Sequence, residues 1–446
     1  MKLSPYPEYK DSDVPWLGRI PAHWSIKPGL AFISQRKEKN VGMKESIVLS
    51  LSYGKIVVKP PTKLHGLVPE SFETYQITEP GNIIVRGTDL QNDKTSLRIG
   101  KVRNRGIITS AYLCLQANNK ISSDYVYLLL HGYDLMKIYY GMGSGLRQSL
   151  GFSDFKRLPV LVPSDSEQNK IHGYLEFTHA QINKFIRNKL RLIALLKEQK
   201  QTIINEAVTQ GINPDVEMKD SGLEWLGEIP AHWEVRKLKH IAAMKSGDNL
   251  TSMEIEEQDK FPVYGGNGLR GFYNSFNHSG GFLLVGRQGA LCGNVHRVRG
   301  EFWATEHAVV TTLKKGICLD WYYYMLVFMD LNQYSEAAAQ PGISVEKIQN
   351  LRTTVPPISE QEQIAGYIDT ETALIDKTIT RAEREIELIR EYRTRLISDV
   401  VTGQVDVRDV EVPEVAEDAL LAFEAEITED DLPEDDVEQD DEGSEG

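Results

Sequence analysis

Two long stretches of the chain carry apolar side chains at helical spacing. From Ile171 the positions Leu175, Thr178, Ile182, Phe185, Lys189, Leu192, Leu196, Gln199 and Ile203 follow at alternating steps of four and three. Ile364 to Leu396 keeps the same rhythm through Ile368, Ile375, Ala382 and Ile389. A stripe held over about five heptads predicts helices that pair along their length, with the polar breaks fixing register. Ser166 and Ser359 stand where N-caps belong. Ser359 with Glu362 reads as a capping box, and Ser164 with Glu167 offers an alternative. Gly211 and Gly403 are placed to stop the helices. Elsewhere the pattern is mixed. Ile83–Val85 and Phe282–Val285 read as short buried strands, each running into a Gly- and Arg-bearing turn. Tyr125–Leu135 and Asp320–Leu331 read as aromatic-rich core helices, and Gly141–Gln148 and Tyr264–Arg270 as polar glycine loops.

The chain also repeats itself. Lys10–Trp24, KDSDVPWLGRIPAHW, matches Lys219–Trp233, KDSGLEWLGEIPAHW, at 11 of 15 positions and an offset of 209. Val162–Tyr174 matches Val355–Tyr367 at an offset of 193, and the same offset carries Val208-Thr209 onto Val401-Thr402. The region between opening motif and helix is therefore 16 residues longer in the first copy (209 − 193). These intervening regions barely resemble each other. One frame holds two different inserts.

Connectivity then gives an expected shape. About 40 residues at 1.5 Å each make a rod of roughly 60 Å. Gly211 is close in sequence to Trp225 of the second opening motif, so the second insert begins near the far end of the first helix. Paired helices would run antiparallel. The expectation is an α+β chain: two mixed α/β domains at opposite ends of an antiparallel pair of long coiled-coil helices, in a pseudo-twofold internal repeat. Its segments are 1–161 and 213–354 (opening motif and insert), 162–212 and 355–408 (spacer helices), and a tail, 409–446.

Composition removes some classes of function. The net charge of −14 misleads, because residues 409–446 hold 18 Asp and Glu with no Lys or Arg. Without them, 50 bases face 46 acids (64 − 18), so the body is mildly basic. Cys114, Cys292 and Cys318 are too scattered for a disulfide framework or a zinc site, which fits a cytoplasmic protein. Neither a signal peptide nor a membrane span is visible.

Catalytic motifs are weak. Pro214-Asp215 with Glu217-Met218-Lys219 resembles nuclease metal elements, but its carboxylates are adjacent rather than carried on converging elements. There is no GxxxxGK[ST] loop, no Asn/Asp-Pro-Pro-aromatic motif and no strand–GxGxxG–helix context. His23 and His232 read as structural. No catalytic residue, cofactor-binding residue or metal ligand is assigned, which leaves binding. Arg reads guanine edges bidentately, and Asn and Gln read adenine. The candidates are Arg86, Lys101, Arg103, Arg105, Arg147 and Gln148 in the first insert, and Asn267, Arg270, Arg287, Gln288, Arg297 and Arg299 in the second. Two different domains on one symmetric spacer would read two half-sites at a fixed gap, of the order of one helical turn.

The paired WLGxIPAHW motifs (Trp16–Trp24, Trp225–Trp233) and the paired VPxxSEQxxIxGY helix starts resemble the specificity (S) subunit of Type I restriction–modification systems. The resemblance spans residues 5–408 and includes the motif order. It implies that each insert is a target recognition domain and that the subunit is not an enzyme. It also implies that the chain directs two methyltransferase (M) subunits, which carry S-adenosylmethionine, to a bipartite double-stranded DNA sequence. Two motor-nuclease (R) subunits would join for cleavage. Trp16, Trp24, Trp225, Trp233, Ile171, Tyr174, Ile364 and Tyr367 are then the scaffold or partner positions.

The acidic tail departs from that family. Its composition predicts disorder, with Ala419–Ile427 able to form a short amphipathic helix. The tail reads as a solubilising segment or as a mimic of DNA charge; in the second case its deletion raises non-specific DNA affinity at low salt. Two other classes stay open on sequence. One is a coiled-coil adaptor with two protein-binding heads. The other is a self-contained DNA enzyme, which the missing catalytic constellation disfavours.

Overall fold

The computed structural model describes residues 3–52, 54–60, 71–91, 93, 96–142, 149–289, 291–335 and 342–413. Two compact units result, Met1–Lys189 with Arg384–Gly446, and Leu190–Glu383.

In the first unit the opening motif is a hairpin, β1 (Tyr9–Asp11) on β2 (Arg19–Pro21). The chain then enters its insert through β3 (Ser25–Pro28). The insert holds β4 (Ile33–Arg36), the hairpin β5 (Leu49–Ser52) and β6 (Lys55–Val58), then β7 (Gln76–Thr78), β8 (Ile83–Val85) and β9 (Ile99–Lys101). It closes with β10 (Gly106–Ile108), β11 (Leu113–Ala117) and the helices α1 (Ser123–Leu135) and α2 (Phe152–Arg157). The exit strand β12 (Pro159–Val162) pairs antiparallel with β3, Ser25 opposite Val162 and Pro28 opposite Pro159. The helix α3 (Asp165–Gln210) follows.

The second copy repeats this frame. β13 (Met218–Asp220) pairs with β14 (Glu228–Pro230), and β15 (Glu234–Lys237) leads into the insert. The insert holds β16 (Ala242–Ser246), β17 (Phe261–Gly265), β18 (Gly268–Tyr273), β19 (His278–Gly286), β20 (Val295–Ala304) and β21 (Ala308–Leu313). It ends with α4 (Leu319–Phe328) and α5 (Val345–Asn350). The exit strand β22 (Arg352–Val355) pairs with β15, and α6 (Ile358–Val401) follows.

The inserts share a core that their sequences hide. Strand order in the first sheet is β4-β11-β8-β9. In the second it is β16-β21-β19-β20, with β17 and β18 added at the β20 edge. The additions differ in kind. The first insert builds separate two-stranded pieces, β5-β6 and β10-β7. The second bends its β19–β20 ribbon, where Gly280 and Gly300 face each other in register with φ of +128° and +100°. Only glycine takes such angles without strain. The bend folds Phe302 back onto Leu284 and Val310 in a small core of its own.

Helix lengths exceed the expectation: 46 and 44 residues, or about 69 and 66 Å. Within the first unit α6 lies antiparallel to α3, with Lys189 Nζ 2.6 Å from Glu385 Oε2 and Arg393 Nη1 donating to Asn183 Oδ1 at 3.4 Å. In the second unit Lys200 Nζ lies 2.6 Å from Asp376 Oδ1. The buried stripe corrects the heptad expectation. Phe185 and Leu192 are exposed, while their neighbours Ile186 and Ile193 are buried. Ile171, Ile182, Ile193 and Ile204 are buried at steps of eleven, and so are Ile364, Ile375, Ile386 and Ile397. Eleven residues over three turns give 3.67 per turn, which lacks the left-handed supercoiling that strict heptads impose.

At the start of α3 the alternative cap is the one found, and at the start of α6 the expected cap is not. Ser164 is the residue whose hydroxyl accepts from Glu167 N, and Ser166 lies inside the helix. In α6 the Pro357 carbonyl accepts from Glu360 N and Gln361 N, and Ser359 sits in the first turn, so no Ser359–Glu362 box defines the start. Gly211 and Gly403 end the helices as expected, with φ of +80° and +77°.

Candidate nucleic-acid interface

The repeated motifs interlock in the same way in each unit. The opening tryptophans Trp24 and Trp233 are fully buried. Gly403 packs on Trp24 and Gly211 on Trp233, so each helix end sits against an opening motif. His23 Nε2 lies 3.0 Å from Glu167 Oε2, and His232 Nε2 lies 2.7 Å from Glu360 Oε2. The next glutamine of each SEQ run locks the aromatic helix. Gln168 Oε1 accepts from Ser122 N, and Gln361 Oε1 from Cys318 N, the N-cap residues of α1 and α4. Other scaffold positions differ between copies. Ile171 and Ile364 are buried, but Tyr174 is buried where Tyr367 is 42% exposed. Trp16 packs edge-on against Tyr133, while Trp225 is half exposed beside Phe328.

The inserts carry the candidate contacts. In the second unit several loops converge at one end of the sheet. The stretch Tyr264–Arg270, expected to be a loop, is the β17–β18 hairpin, with Gly266 and Asn267 as its two-residue turn. A side chain at Gly286 would strike the Gly266 carbonyl, and one at Gly266 would press on the His307 carbonyl, so the turn seats directly on the β19 exit. Arg287 N donates to His307 O at 2.9 Å, Ile343 N donates to Arg287 O at 2.9 Å, and the Arg287 guanidinium reaches Ser246 Oγ at 3.4 Å. Asn267, Arg270, Arg287 and Gln288 are exposed around this junction. His307, which no motif marks, joins them, paired to Glu306 at 3.2 Å.

Arg297 and Arg299 do not belong to this group. They project from mid-β20 toward α4, where both hold Asp320 at 2.8 Å. Arg297 also covers the Tyr323 ring. The two arginines keep the Asp320 carboxyl below the usual carboxylate range against the effect of its burial. Both fasten sheet to helix. The first unit does the same with Lys101 of β9, which pairs with Asp124 in the first turn of α1.

The first unit's candidates are likewise parted. Arg86 follows β8, 3.5 Å from Asp93. Its loop is pinned from inside by Arg98, a fully buried arginine that the sequence reading overlooked. The Arg98 guanidinium donates to the carbonyls of Thr88 at 2.7 Å and of Arg86, Asp89 and Asp93. Leu150 N donates to Gly87 O, the counterpart of the Ile343–Arg287 bond in the second unit. Lys101, Arg103 and Arg105 lie toward the other end of these strands, Lys101 being opposite Ile83. Arg105 is held by Glu79 at 2.6 Å and Glu45 at 3.2 Å. Arg147 and Gln148 lie outside the described residues, as do residues 414–446 of the acidic tail. Residues 409–413 do not share the tail's expected disorder. Val410 and Val412 pack against the first unit's core.

Among the described residues no cluster of His, Cys, Asp and Glu could hold a metal ion, and no helix is long and apolar enough to cross a membrane. The arrangement offers exposed amide and guanidinium groups on loops anchored by rigid strands, which suits reading base edges.

Residues 230–388 match the family profile described as the Type I restriction modification DNA specificity domain. A 172-residue segment is 41% identical to the Type I restriction enzyme EcoprrI specificity subunit of Escherichia coli, covering 37% of this chain and 41% of that protein. The match thus spans about two fifths of that relative's length. The MjaVIII specificity subunit of Methanocaldococcus jannaschii is 22% identical over 343 residues, 69% of this chain and 76% of its own. A chain solved in work on complex assembly and conformational transition of the type I R-M system shares the fold. It has a TM-score of 0.63 at 12% identity over 86% of this chain and 98% of its own length. Residues 230–388 thus match the Type I restriction modification DNA specificity domain, in a chain similar to the specificity subunits of Type I restriction–modification systems.

Proposed function

We propose that this chain is a non-catalytic subunit that reads a bipartite, asymmetric DNA target and directs partner enzymes to it. The observation that carries the reading is the pair of inserts. They share one strand order and one frame, yet carry different additions, β5-β6 and β10-β7 in the first and β17-β18 in the second. A frame kept constant while its loops diverge suits two recognition domains with different half-sites. In this reading the long helices pair as an antiparallel spacer with a pseudo-twofold axis, and the recognition domains stand at its opposite ends. Two methyltransferase subunits carrying S-adenosylmethionine dock on the repeated frame, and two motor-nuclease subunits join them in the cytoplasm.

The test is co-expression with the candidate methyltransferase subunit in an unmodified host, followed by sequencing of modified bases. The expected result is a split motif with a fixed gap, methylated only when this chain is present. Replacing residues 25–161 should change one half of the motif. No new methylation, with the complex formed, would overturn the reading in favour of a protein-binding adaptor.

A further inference from the structure

The first unit contains a cavity of about 380 Å³, whose lining includes Lys101 and Arg103. Its walls come from the β5–β6 turn, the end of β9, α1, α3 and Ile397 of α6. One part of the lining is cationic, with Lys55, Lys101 and Arg103, and the imidazoles of His172 and His179 stand beside them. The other is apolar, with Ile56, Val57, Leu128 and Leu175. Glu176 is the only carboxylate in the lining, and Asp124 stands nearby against Lys101 and His172. Cationic charge dominates the surroundings of His179. Arg393, Lys55 and Arg103 all act with burial to keep its imidazole neutral. His131 Nδ1 is buried in the same region without a hydrogen-bond partner. The cavity therefore suits an occupant that is at once apolar and acidic.

The chain supplies such an occupant. After Pro413 it continues for 33 residues with 16 Asp and Glu and no base, counting from Glu414. Within them lies Ala419-Leu420-Leu421-Ala422-Phe423-Glu424-Ala425-Glu426-Ile427, the tail's densest apolar run, flanked by Glu417-Asp418 and Glu429-Asp430-Asp431. Val407 and Val410 pack on the core that also holds Leu175 and Ile397, so the tail leaves from the body that contains the cavity. The six residues between Pro413 and Leu420 reach up to about 20 Å. Tethering raises the local concentration to the millimolar range, so even weak intrinsic affinity suffices.

We propose that the acidic–apolar segment 419–427 docks in the cavity between the β5–β6 turn and α3 of its own chain. Its apolar side chains meet Ile56, Val57 and Leu128, and its flanking carboxylates face Lys55 and Arg103. This docking can be tested without DNA.

The test places p-benzoyl-phenylalanine at position 423 of the full-length chain, irradiates dilute protein and maps the crosslinks. Docking predicts intramolecular links to residues 54–57, 101–104, 127–131 or 172–180. A peptide of residues 415–431 should compete with them, and its Leu420→Ser, Phe423→Ser version should compete at least about tenfold less well. The surface pair Val57→Asp and Arg103→Glu should abolish the links while leaving the melting temperature within a few degrees. Links that map elsewhere, that form only between chains, or that survive the double variant would overturn the proposal. Unlinked protein with an intact tail would do the same.

Discussion

His232 Nε2 stands 2.7 Å from Glu360 Oε2, the partnership that His23 makes with Glu167 at 3.0 Å in the other unit. The two joints are not equal. Glu167 is almost fully buried and also accepts from the Tyr6 hydroxyl at 2.7 Å, whereas the Glu360 side chain is 19% exposed. Glu167→Ala leaves the Tyr6 hydroxyl without that acceptor. It should lower stability by about 1–3 kcal/mol, with a smaller loss for Glu360→Ala. Urea unfolding of the two variants checks the order; equal losses would contradict it.

Arg98 predicts a larger effect. Its guanidinium satisfies carbonyls along the loop after β8, so Arg98→Met strands several acceptors at once. The expected loss is about 3 kcal/mol or more. The loop should loosen with it, seen as faster amide exchange at residues 86–91 than at 83–85.

Gly173 and Gly366 occupy equivalent places in α3 and α6, and an added Cβ meets nothing within 4 Å at either. Alanine there should stabilise by about 0.5–1 kcal/mol per site, because glycine loses more backbone freedom on entering a helix. Gly300→Ala should destabilise, since it asks a side chain to adopt φ of +100°. Thermal melts of the three variants test the opposite signs.

The first unit should weaken in mild acid. Burial, with Arg393 adding to it, holds the imidazoles of His131 and His179 down to about 4 and about 3. An unfolded chain binds those protons near pH 6.5. The unfolded state therefore takes up protons first as pH falls. The stabilising contribution, complete above pH 6.5, drains away down to the folded values. Burial of Asp134 raises its carboxyl to about 6, which acts in the opposite direction between pH 4 and 6. Two histidines against one carboxyl leave a net loss. His179→Gln should flatten the slope of stability between pH 7 and 5; an unchanged slope would show that His179 is not the group responsible.

Arg287 and Arg299 should part company in function. Arg287 stands exposed where the loops converge, and Arg299 is spent on Asp320. In the methylation assay Arg287→Ala should relax one half of the motif, a discrimination of about 1–3 kcal/mol. Arg299→Ala should leave the motif unchanged and lower stability slightly.

The sequence revealed the frame because rare residues repeat there: Trp24 and Trp233 stand against Gly403 and Gly211, and His23 and His232 against Glu167 and Glu360. It also contained the eleven-residue isoleucine ladder, but flanking Phe185 and Leu192 let heptads fit the same stretch. The kinship of the inserts was hidden. Strand order depends on backbone pairing, so β8 and β19 take equivalent places with different residues. At the site, residue type alone could not separate Arg287 from Arg299. The Asp320 that decides between them is more than twenty residues away in sequence. Arg98 was overlooked because a lone arginine usually marks surface.

Each insert begins and ends on one four-residue ladder, β3 with β12 and β15 with β22. The first backbone bond inside each ladder matches as well, Gly29 N to Leu158 O and Leu238 N to Leu351 O, both 2.9 Å. A segment whose two ends meet side by side can be exchanged as one block without the rest of the chain registering its length. For a lineage carrying such a gene, a single exchange bounded by the two repeated coding stretches delivers a whole new insert already in register. Novelty can then arrive by recombination, while point mutation is left to refine it.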